Sequence, residues 1–462
     1  MSYIKASEAA LICGGVFFGP DIKINRIWKS DSREIKPNDA FVAIKGSCVD
    51  GHMFIRDVVS RGAKLLLIDA REIEKLDINQ PFFNEITFIV VEDTNKALAT
   101  LAQAYLKKTT PQVIAITGSV GKTTTRELVV SVLREKYRVH GAIKSFNTII
   151  GSSLTVLSML PDTEILVLEF GTNRPGEISE MADFFSPDTA IITSVAAAHL
   201  EELESIEGVL KAKLEICSST NIKNVIINGD NQLLKKNIRS CYEGNVISVG
   251  YAADASLKIV KAKMVLKDSL SSLYVEFLEG EKSLAFVSSL FGLQHAYNIG
   301  YAVSVGSLYD VSEEQLRNSL KKSRAIEGRG VLHKINDETW LIDESYNANP
   351  CSMEAALDNI ANLRENYEFK SYAVLAGMKE LGKESVQYHN NIIKKLDAFD
   401  KVFLLGKEWG AIDVTLNPNV LCFETYEKML EQVKLLNISQ GLILVKGSNS
   451  YGLAKIVKEL EG

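Results

Sequence analysis

Short apolar runs, several rich in β-branched residues, alternate along this chain with longer stretches whose apolar positions recur every three or four residues. The short runs predict buried strands and the longer stretches predict helices. Over the first hundred residues, strands are expected at Ile22–Ile24, Asp39–Ile44, Lys64–Ile68 and Phe88–Val91, and helices at Phe54–Arg61 and Thr94–Lys108. Thr94 or Asn95 is expected to cap the second helix, and Pro111 marks a first domain boundary. Beyond it, strands at Val113–Ile116, Glu164–Phe170, Ala190–Val195, Asn224–Asn228 and Val246–Gly250 alternate with helices, and residues 255–290 read as a strand-rich excursion. Gly328-Arg329-Gly330 marks a second boundary. The last third repeats the alternation, with strands at Trp340–Asp343, Tyr372–Ala376, Lys401–Leu405, Val420–Phe423 and Leu442–Val445. Apolar strands alternating with helices imply an α/β fold built on largely parallel sheets covered on both faces.

In open parallel sheets ligands gather beyond the carboxyl ends of the strands. The segment Thr117-Gly118-Ser119-Val120-Gly121-Lys122-Thr123-Thr124 occupies such a place, between an apolar strand and the start of a helix. Two glycines permit a tight turn, Lys122 adds a mobile cation, and Thr123 offers a hydroxyl to Mg²⁺. The following helix presents its unpaired N–H groups to the same anion. Ile116 stands where the strict phosphate-loop pattern has glycine, so a chance Gly-Lys-Thr at an ordinary strand–helix joint is the alternative. Glu169-Phe170-Gly171 and Ala196 to His199 end neighbouring strands and fall under the same rule. On chemistry alone Glu169 suits a hard cation, whereas His199 reads equally as a loop histidine, because Mg²⁺ prefers oxygen.

The chain has 462 residues, too many for one core, so two or three domains are expected. A net charge of -6 gives no reason to expect nucleic acid or an anionic membrane as partner. Cys13, Cys48, Cys217, Cys241, Cys351 and Cys422 are scattered without metal-ligand spacing, which suits free thiols in a reducing compartment. Met1 to Ala10 lacks the apolar stretch of an export signal, and no apolar run reaches membrane-spanning length. A cytoplasmic enzyme is the expectation. The final strand–helix alternation carries no G-x-G-x-x-G after its first strand, so no dinucleotide is indicated.

The phosphate-loop variant Thr-Gly-x-x-Gly-Lys-Thr-Thr resembles that of the Mur ligases, ATP-dependent amide-forming enzymes of peptidoglycan synthesis. The resemblance runs in order through the chain. Ser32-Arg33, Pro37-Asn38-Asp39 and Asp50-Gly51-His52 look like the family's uridine-diphosphate domain, although on composition they are polar surface loops. Ser145-Phe146-Asn147-Thr148 resembles the loop that contacts the uridine-linked substrate. Glu169-x-Gly171 and Ala198-His199-Leu200-Glu201 match the family's magnesium ligands. Lys213, which on composition belongs to a solvated helix face, matches a lysine that is carbamylated beside a second Mg²⁺. Phe291 to Asn298 resembles the adenine-contacting segment, with Gln294 and His295 where His and Asn are usual and with Asn298 retained. Arg329, otherwise a surface cation, matches an arginine set against the ATP phosphates.

Asp343-Glu344-Ser345-Tyr346-Asn347-Ala348-Asn349-Pro350 reads on composition as a turn capping a helix. It also resembles the corresponding segment of the family branch that adds D-alanyl-D-alanine, with Glu344 replacing an aspartate. Met378-Lys379-Glu380-Leu381-Gly382, His389 and Val445-Lys446-Gly447-Ser448 continue the match. Gly377 and Asn449 depart from it, standing where aspartate and arginine are common.

The resemblance implies three domains: residues 1–109 binding a UDP-sugar, a central P-loop ATPase-like domain at 110–327, and a Rossmann-like ligase domain at 328–462. It implies ATP and two Mg²⁺ ions as cofactors, with Thr123, Glu169, His199 and Lys213 around the metal and Lys122 as the catalytic cation. ATP would contact Gly118, Ser119, Val120, Gly121, Lys122, Thr123 and Thr124, together with Asn298, Arg329, Asp343 and Asn347. Substrate would contact Ser32, Arg33, Asn147, Asn349, Lys446 and Ser448. The implied substrates are UDP-N-acetylmuramoyl-tripeptide and D-Ala-D-Ala, joined through an acyl phosphate by a monomer. A family member acting on another carboxylate and amine, as in folylpolyglutamate or cofactor amide ligases, is one alternative; a nucleotide-dependent switch without ligase activity is another. Lys122 and the pair Arg329 and Asp343 fall in different expected domains, so the nucleotide site should complete only on closure. Nucleotide with substrate is therefore expected to alter small-angle scattering, and identical curves with and without ligands would contradict this.

Overall fold

The protein is described by a computed structural model covering residues 4–24, 27–46, 49–142, 145–267, 270–410, 412, 417–436 and 440–461. Cys48 and the first three residues lie outside the described residues. The chain folds into two compact units, one of residues 1–115, 137–171 and 180–188, the other of residues 116–136, 172–179 and 189–462.

The first unit carries a five-stranded sheet in the order Val16–Phe18, Thr87–Val91, Leu65–Asp69, Ala40–Val42, Trp28–Lys29. Its outermost pair, Val16–Phe18 with Thr87–Val91, is antiparallel and the remaining pairs are parallel. Phe41, Leu66, Ile68, Phe83 and Phe88 form the centre of its core, fully or almost fully buried. Leu65–Asp69 and Thr87–Val91 are buried along their whole length, the signature of strands covered on both faces. The helix Thr94–Thr109 is capped by Asp93, whose side chain accepts from the Asn95 and Lys96 amides. Thr94 is the first residue of the helix, and its hydroxyl donates to Ala43 O at 2.9 Å. The same unit holds parallel strands Val139–Gly141 and Ile165–Glu169.

Strand Gln112–Thr117 begins in the first unit and ends in the second. In the second unit, strands Thr189–Ile192, Asn224–Asn228, Asn245–Gly250 and Leu257–Lys267 pair parallel in succession. The excursion at 255–290 is an antiparallel meander, Leu257–Lys267 with Leu270–Glu279 and then Lys282–Ser288. A six-stranded sheet follows, in the order Val331–Lys334, Thr339–Glu344, Gly441–Lys446, Ser371–Ala376, Lys401–Leu405, Val420–Phe423, with only its first pair antiparallel. The last strand in sequence lies between two earlier ones, which brings Lys446 beside Glu344 at the strands' carboxyl ends. The fold is thus α/β throughout, with mixed sheets. No helix among the described residues is long and apolar enough to cross a membrane.

Candidate functional site

The phosphate-loop segment forms a strand, a tight loop and the helix Lys122–Leu133. Gly118 and Gly121 adopt φ of 144° and 83°, where side chains are strained. Space demands glycine as strongly: a Cβ on Gly118 would lie 2.0 Å from Thr193 Oγ1, and one on Gly121 would lie 2.8 Å from Asn298 Oδ1. The loop is bolted to the strand end beside it. Ser119 N donates to Ser194 O at 3.0 Å. Val120 N donates to Ser194 Oγ at 3.0 Å, and Ser119 Oγ donates to Ala196 O at 2.9 Å. Two loop amides therefore serve as anchors, and the helix N-terminus follows directly after them. Lys122 Nζ reaches back to Gly118 O at 2.5 Å, and Thr123 and Thr124 are buried at the head of the helix.

His199 and Lys213 share this neighbourhood. Lys213, on the helix Ile206–Leu214, is 2 % exposed. Burial, then the charge of Lys122, holds its amine well below the usual lysine range, against opposing pulls from Glu215 and Glu177. The His199 ring is likewise lowered by burial, with Glu380 opposing and the charges of Lys213 and Lys122 adding to the effect. Three basic nitrogens thus crowd one region. Glu215 fixes the start of the helix Glu177–Phe185 by accepting from Gly176 N, Ile178 N and Ser179 N at 2.8, 3.2 and 3.3 Å. His199 Nδ1 lies 2.5 Å from Glu380 Oε2.

Asn298 is engaged at both ends of its amide: Oδ1 accepts from Thr125 Oγ1 at 3.2 Å and Nδ2 donates to His295 Nδ1 at 2.9 Å. It braces the back of the loop through Gly121 and Thr125. His295, one of the two unusual residues here, supplies Asn298's second partner. Gln294 docks on the helix Pro350–Arg364, accepting from Asn359 Nδ2 at 2.7 Å while Leu293 N donates to Asn359 Oδ1 at 3.0 Å.

Arg329 stacks its guanidinium 4.0 Å from the centre of the Tyr346 ring. Asp343 is buried and holds two backbone amides, Gly328 N on Oδ2 and Ser345 N on Oδ1, each at 3.0 Å. Asn349 caps Pro350–Arg364 in a reciprocal box with Ser352. Lys446 is 2 % exposed and donates to Glu344 Oε2 at 3.0 Å and to Asn347 O at 3.2 Å. Glu344 thus supplies the counter-charge of a buried lysine. Ser448 contacts Ser450, Oγ to Oγ at 3.3 Å. At the other departure, Gly377, a Cβ would lie 2.3 Å from Glu408 Oε2. Glu408, held by Lys379 and Tyr451, fills the space beside that glycine.

In the first unit, Glu169 ends a fully buried strand and is 1 % exposed. Gly171 N donates to Asn147 O at 2.7 Å, and a Cβ there would lie 2.6 Å from Asn147 Nδ2, so the two segments touch. Ser32 and Arg33 open a short 3-10 turn in which Asp31 binds the Arg33 guanidinium at 2.9 and 2.7 Å. A cavity of 290 Å³ lies beside that turn, lined by Trp28, Ser30, Asp31, Glu34, Phe146 and Ser158 among others. Sequence reasoning did not find Ser194, which anchors the loop, or roles for Glu380 and Glu408. Only the polar pair Thr193-Ser194 at a strand end offered a signal.

Among the described residues no three His, Cys, Asp or Glu side chains gather in metal-holding geometry. The candidate donors are chemically mixed instead. Thr123 contributes a hydroxyl, and His199 has Nδ1 held by a carboxylate, the arrangement that orients metal-bound imidazoles. These donors fit a divalent cation held beside phosphates.

Three family models match the chain: "Mur ligase family, catalytic domain" over residues 26–106, "Mur ligase middle domain" over 116–306, and "Mur ligase, glutamate ligase domain" over 328–449. A Bacillus subtilis relative named UDP-N-acetylmuramoyl-tripeptide--D-alanyl-D-alanine ligase is 33% identical over 440 residues, 93% of this chain and 92% of the relative. A crystal structure of MurF from Acinetobacter baumannii covers 100% of this chain and 99% of its own at a TM-score of 0.84 and 24% identity, a likeness of fold. The MurF ligase from Thermotoga maritima, solved in complex with ADP, covers 94% of this chain and 97% of its own at 0.78 and 25% identity.

The Lys446 environment yields a stability test. Glu344→Ala leaves that cation buried with only a carbonyl partner, so a loss of roughly 3–5 kcal/mol is expected in denaturant unfolding. A loss below about 1 kcal/mol would mean that Asn347 O alone satisfies it.

Proposed function

The chain belongs to the Mur ligase family, and on that premise we propose that it joins D-alanyl-D-alanine to UDP-N-acetylmuramoyl-tripeptide at the expense of ATP. The observation that carries this reading is the anchored phosphate loop with Lys122, His199 and Lys213 crowded around it. Full-length similarity to the Bacillus subtilis ligase supports the choice of substrates, and the ADP-bound Thermotoga maritima protein supports an adenine nucleotide. The division of labour follows residues 1–109 for the UDP-sugar, 110–327 for ATP and 328–462 for the incoming dipeptide.

A peptide carboxylate is a poor electrophile, so the reaction must convert it first to an acyl phosphate. Lys122 and the helix N-terminus disperse the charge of the γ-phosphoryl group as it moves to the carboxylate oxygen. Arg329 adds a planar donor fork for phosphate oxygens once it leaves the Tyr346 ring. The dipeptide amine then attacks the acyl carbon, and the tetrahedral intermediate collapses to amide and inorganic phosphate. No side-chain nucleophile is needed.

Mg²⁺, when bound, neutralises phosphate charge; Thr123, His199 and Lys213 of the second unit would hold it, and the family resemblance adds Glu169. Lys213 suits a carbamate. Its neutral amine can take up CO₂, releasing one proton and turning a buried amine into an anion. Ser32, Arg33 and Asn147 each adjoin in sequence a residue that lines the cavity proposed for the UDP-linked substrate, and Asn349, Lys446 and Ser448 are assigned to the dipeptide. ADP release is expected to require both UDP-N-acetylmuramoyl-tripeptide and D-Ala-D-Ala, and Lys122→Ala is expected to abolish it. ADP formation that needs neither substrate, or full turnover by the Lys122 variant, would overturn the reading.

A further inference from the structure

The pair His199-Leu200 meets Glu380 through two bonds, although 181 positions separate His199 from Glu380. Leu200 N donates to Glu380 O at 2.9 Å, and the imidazole Nδ1 lies 2.5 Å from Glu380 Oε2. Both residues adopt left-handed backbone, with φ of 56° at His199 and 60° at Glu380. Few residues other than glycine tolerate that conformation, and strain of this kind collects where geometry serves chemistry. Here two strained residues face each other.

The Glu380 loop is held on both sides. Met378 N donates to His389 Nε2 at 3.0 Å, Lys379 pairs with Glu408, and Leu381 is buried. Glu380 itself is partly exposed, so its strained backbone is not explained by burial of its own side chain. An ionised carboxylate only accepts hydrogen bonds, so at this contact the ring nitrogen must donate. That fixes the tautomer of a neutral ring: the proton sits on Nδ1, and the Nε2 lone pair is the one available to a ligand.

We propose that Glu380 is a positioning residue for His199, selecting by its carboxylate the ring tautomer whose Nε2 can bind a divalent cation. The cation's role rests on the ligase reading above; the tautomer selection does not. The strained loop thereby makes the imidazole's readiness depend on a residue far away in sequence, carried by the sheet that holds Lys446.

The test pairs nitrogen-15 NMR of the histidine rings, on the full chain without metal, with steady-state kinetics. The His199 signal is assigned by its loss in His199→Asn. The wild type and Glu380→Gln, whose amide oxygen still accepts, are expected to show the Nδ1–H form. Glu380→Ala and the similarly long Glu380→Met are expected to shift His199 toward Nε2–H. In the ligase assay these two should lose roughly 10–100-fold in kcat, with the KM for D-Ala-D-Ala held within about twofold. The Gln variant should recover most of that loss. An unchanged His199 tautomer in both the Ala and Met variants would overturn the proposal. So would unchanged kcat in either variant that folds. If the wild type makes no ligated product at all, the ligase reading fails, while the nitrogen spectra still decide whether Glu380 selects the tautomer.

Discussion

Burial of basic nitrogens beside the phosphate loop is the constraint on which the candidate site of the second unit depends. Burial depresses both Lys213 and His199, the charge of Lys122 adds to the effect on each, and Lys213 is almost wholly removed from water. Burying like charges is costly unless anions arrive or protons leave. The protein uses both routes. Lys213 is driven toward its neutral amine, while Lys122 rests on a backbone carbonyl until a stronger acceptor replaces it. A region built in this way favours polyphosphate, carboxylate and carbamate, the three anionic groups that the proposed reaction brings together.

The surrounding fold exists to keep those groups from drifting apart. Ser194 pins the phosphate loop, Asn298 braces it from behind, and Glu380 reaches His199 from a distant loop. Farther along, Asp343 and Asn349 use their side chains on backbone, fixing the turn whose Asn347 carbonyl accepts from Lys446. Such supports matter for chemistry because a phosphoryl transfer leaves the protein little to do beyond positioning and charge stabilisation.

Most of the architecture could be read from apolar periodicity, since fully buried strands such as Leu65–Asp69 and Gly441–Lys446 have few alternatives. The strand, tight loop and helix at Thr117–Thr124 were equally legible, because two glycines mark a sharp turn between an apolar run and a helix. Legibility ended where side chains answer to partners far away in sequence. Lys213 looks like a surface residue by composition and is buried; its depressed amine depends on neighbours that periodicity cannot locate. The helix at Thr94 is capped one residue earlier than expected, by Asp93, while the Thr94 hydroxyl donates to the distant Ala43 carbonyl. The unusual Gln294-His295 pair and Gly377 acquire meaning only beside Asn359, Asn298 and Glu408.

If the crowded cations exist to activate a carboxylate with phosphate, one oxygen of that carboxylate must leave with the phosphate. Turnover of UDP-N-acetylmuramoyl-tripeptide labelled with oxygen-18 in its terminal carboxylate, together with ATP and D-Ala-D-Ala, tests this directly by mass analysis of the released phosphate. The account predicts one labelled oxygen in inorganic phosphate for each amide formed. Amide formation with unlabelled phosphate would contradict it.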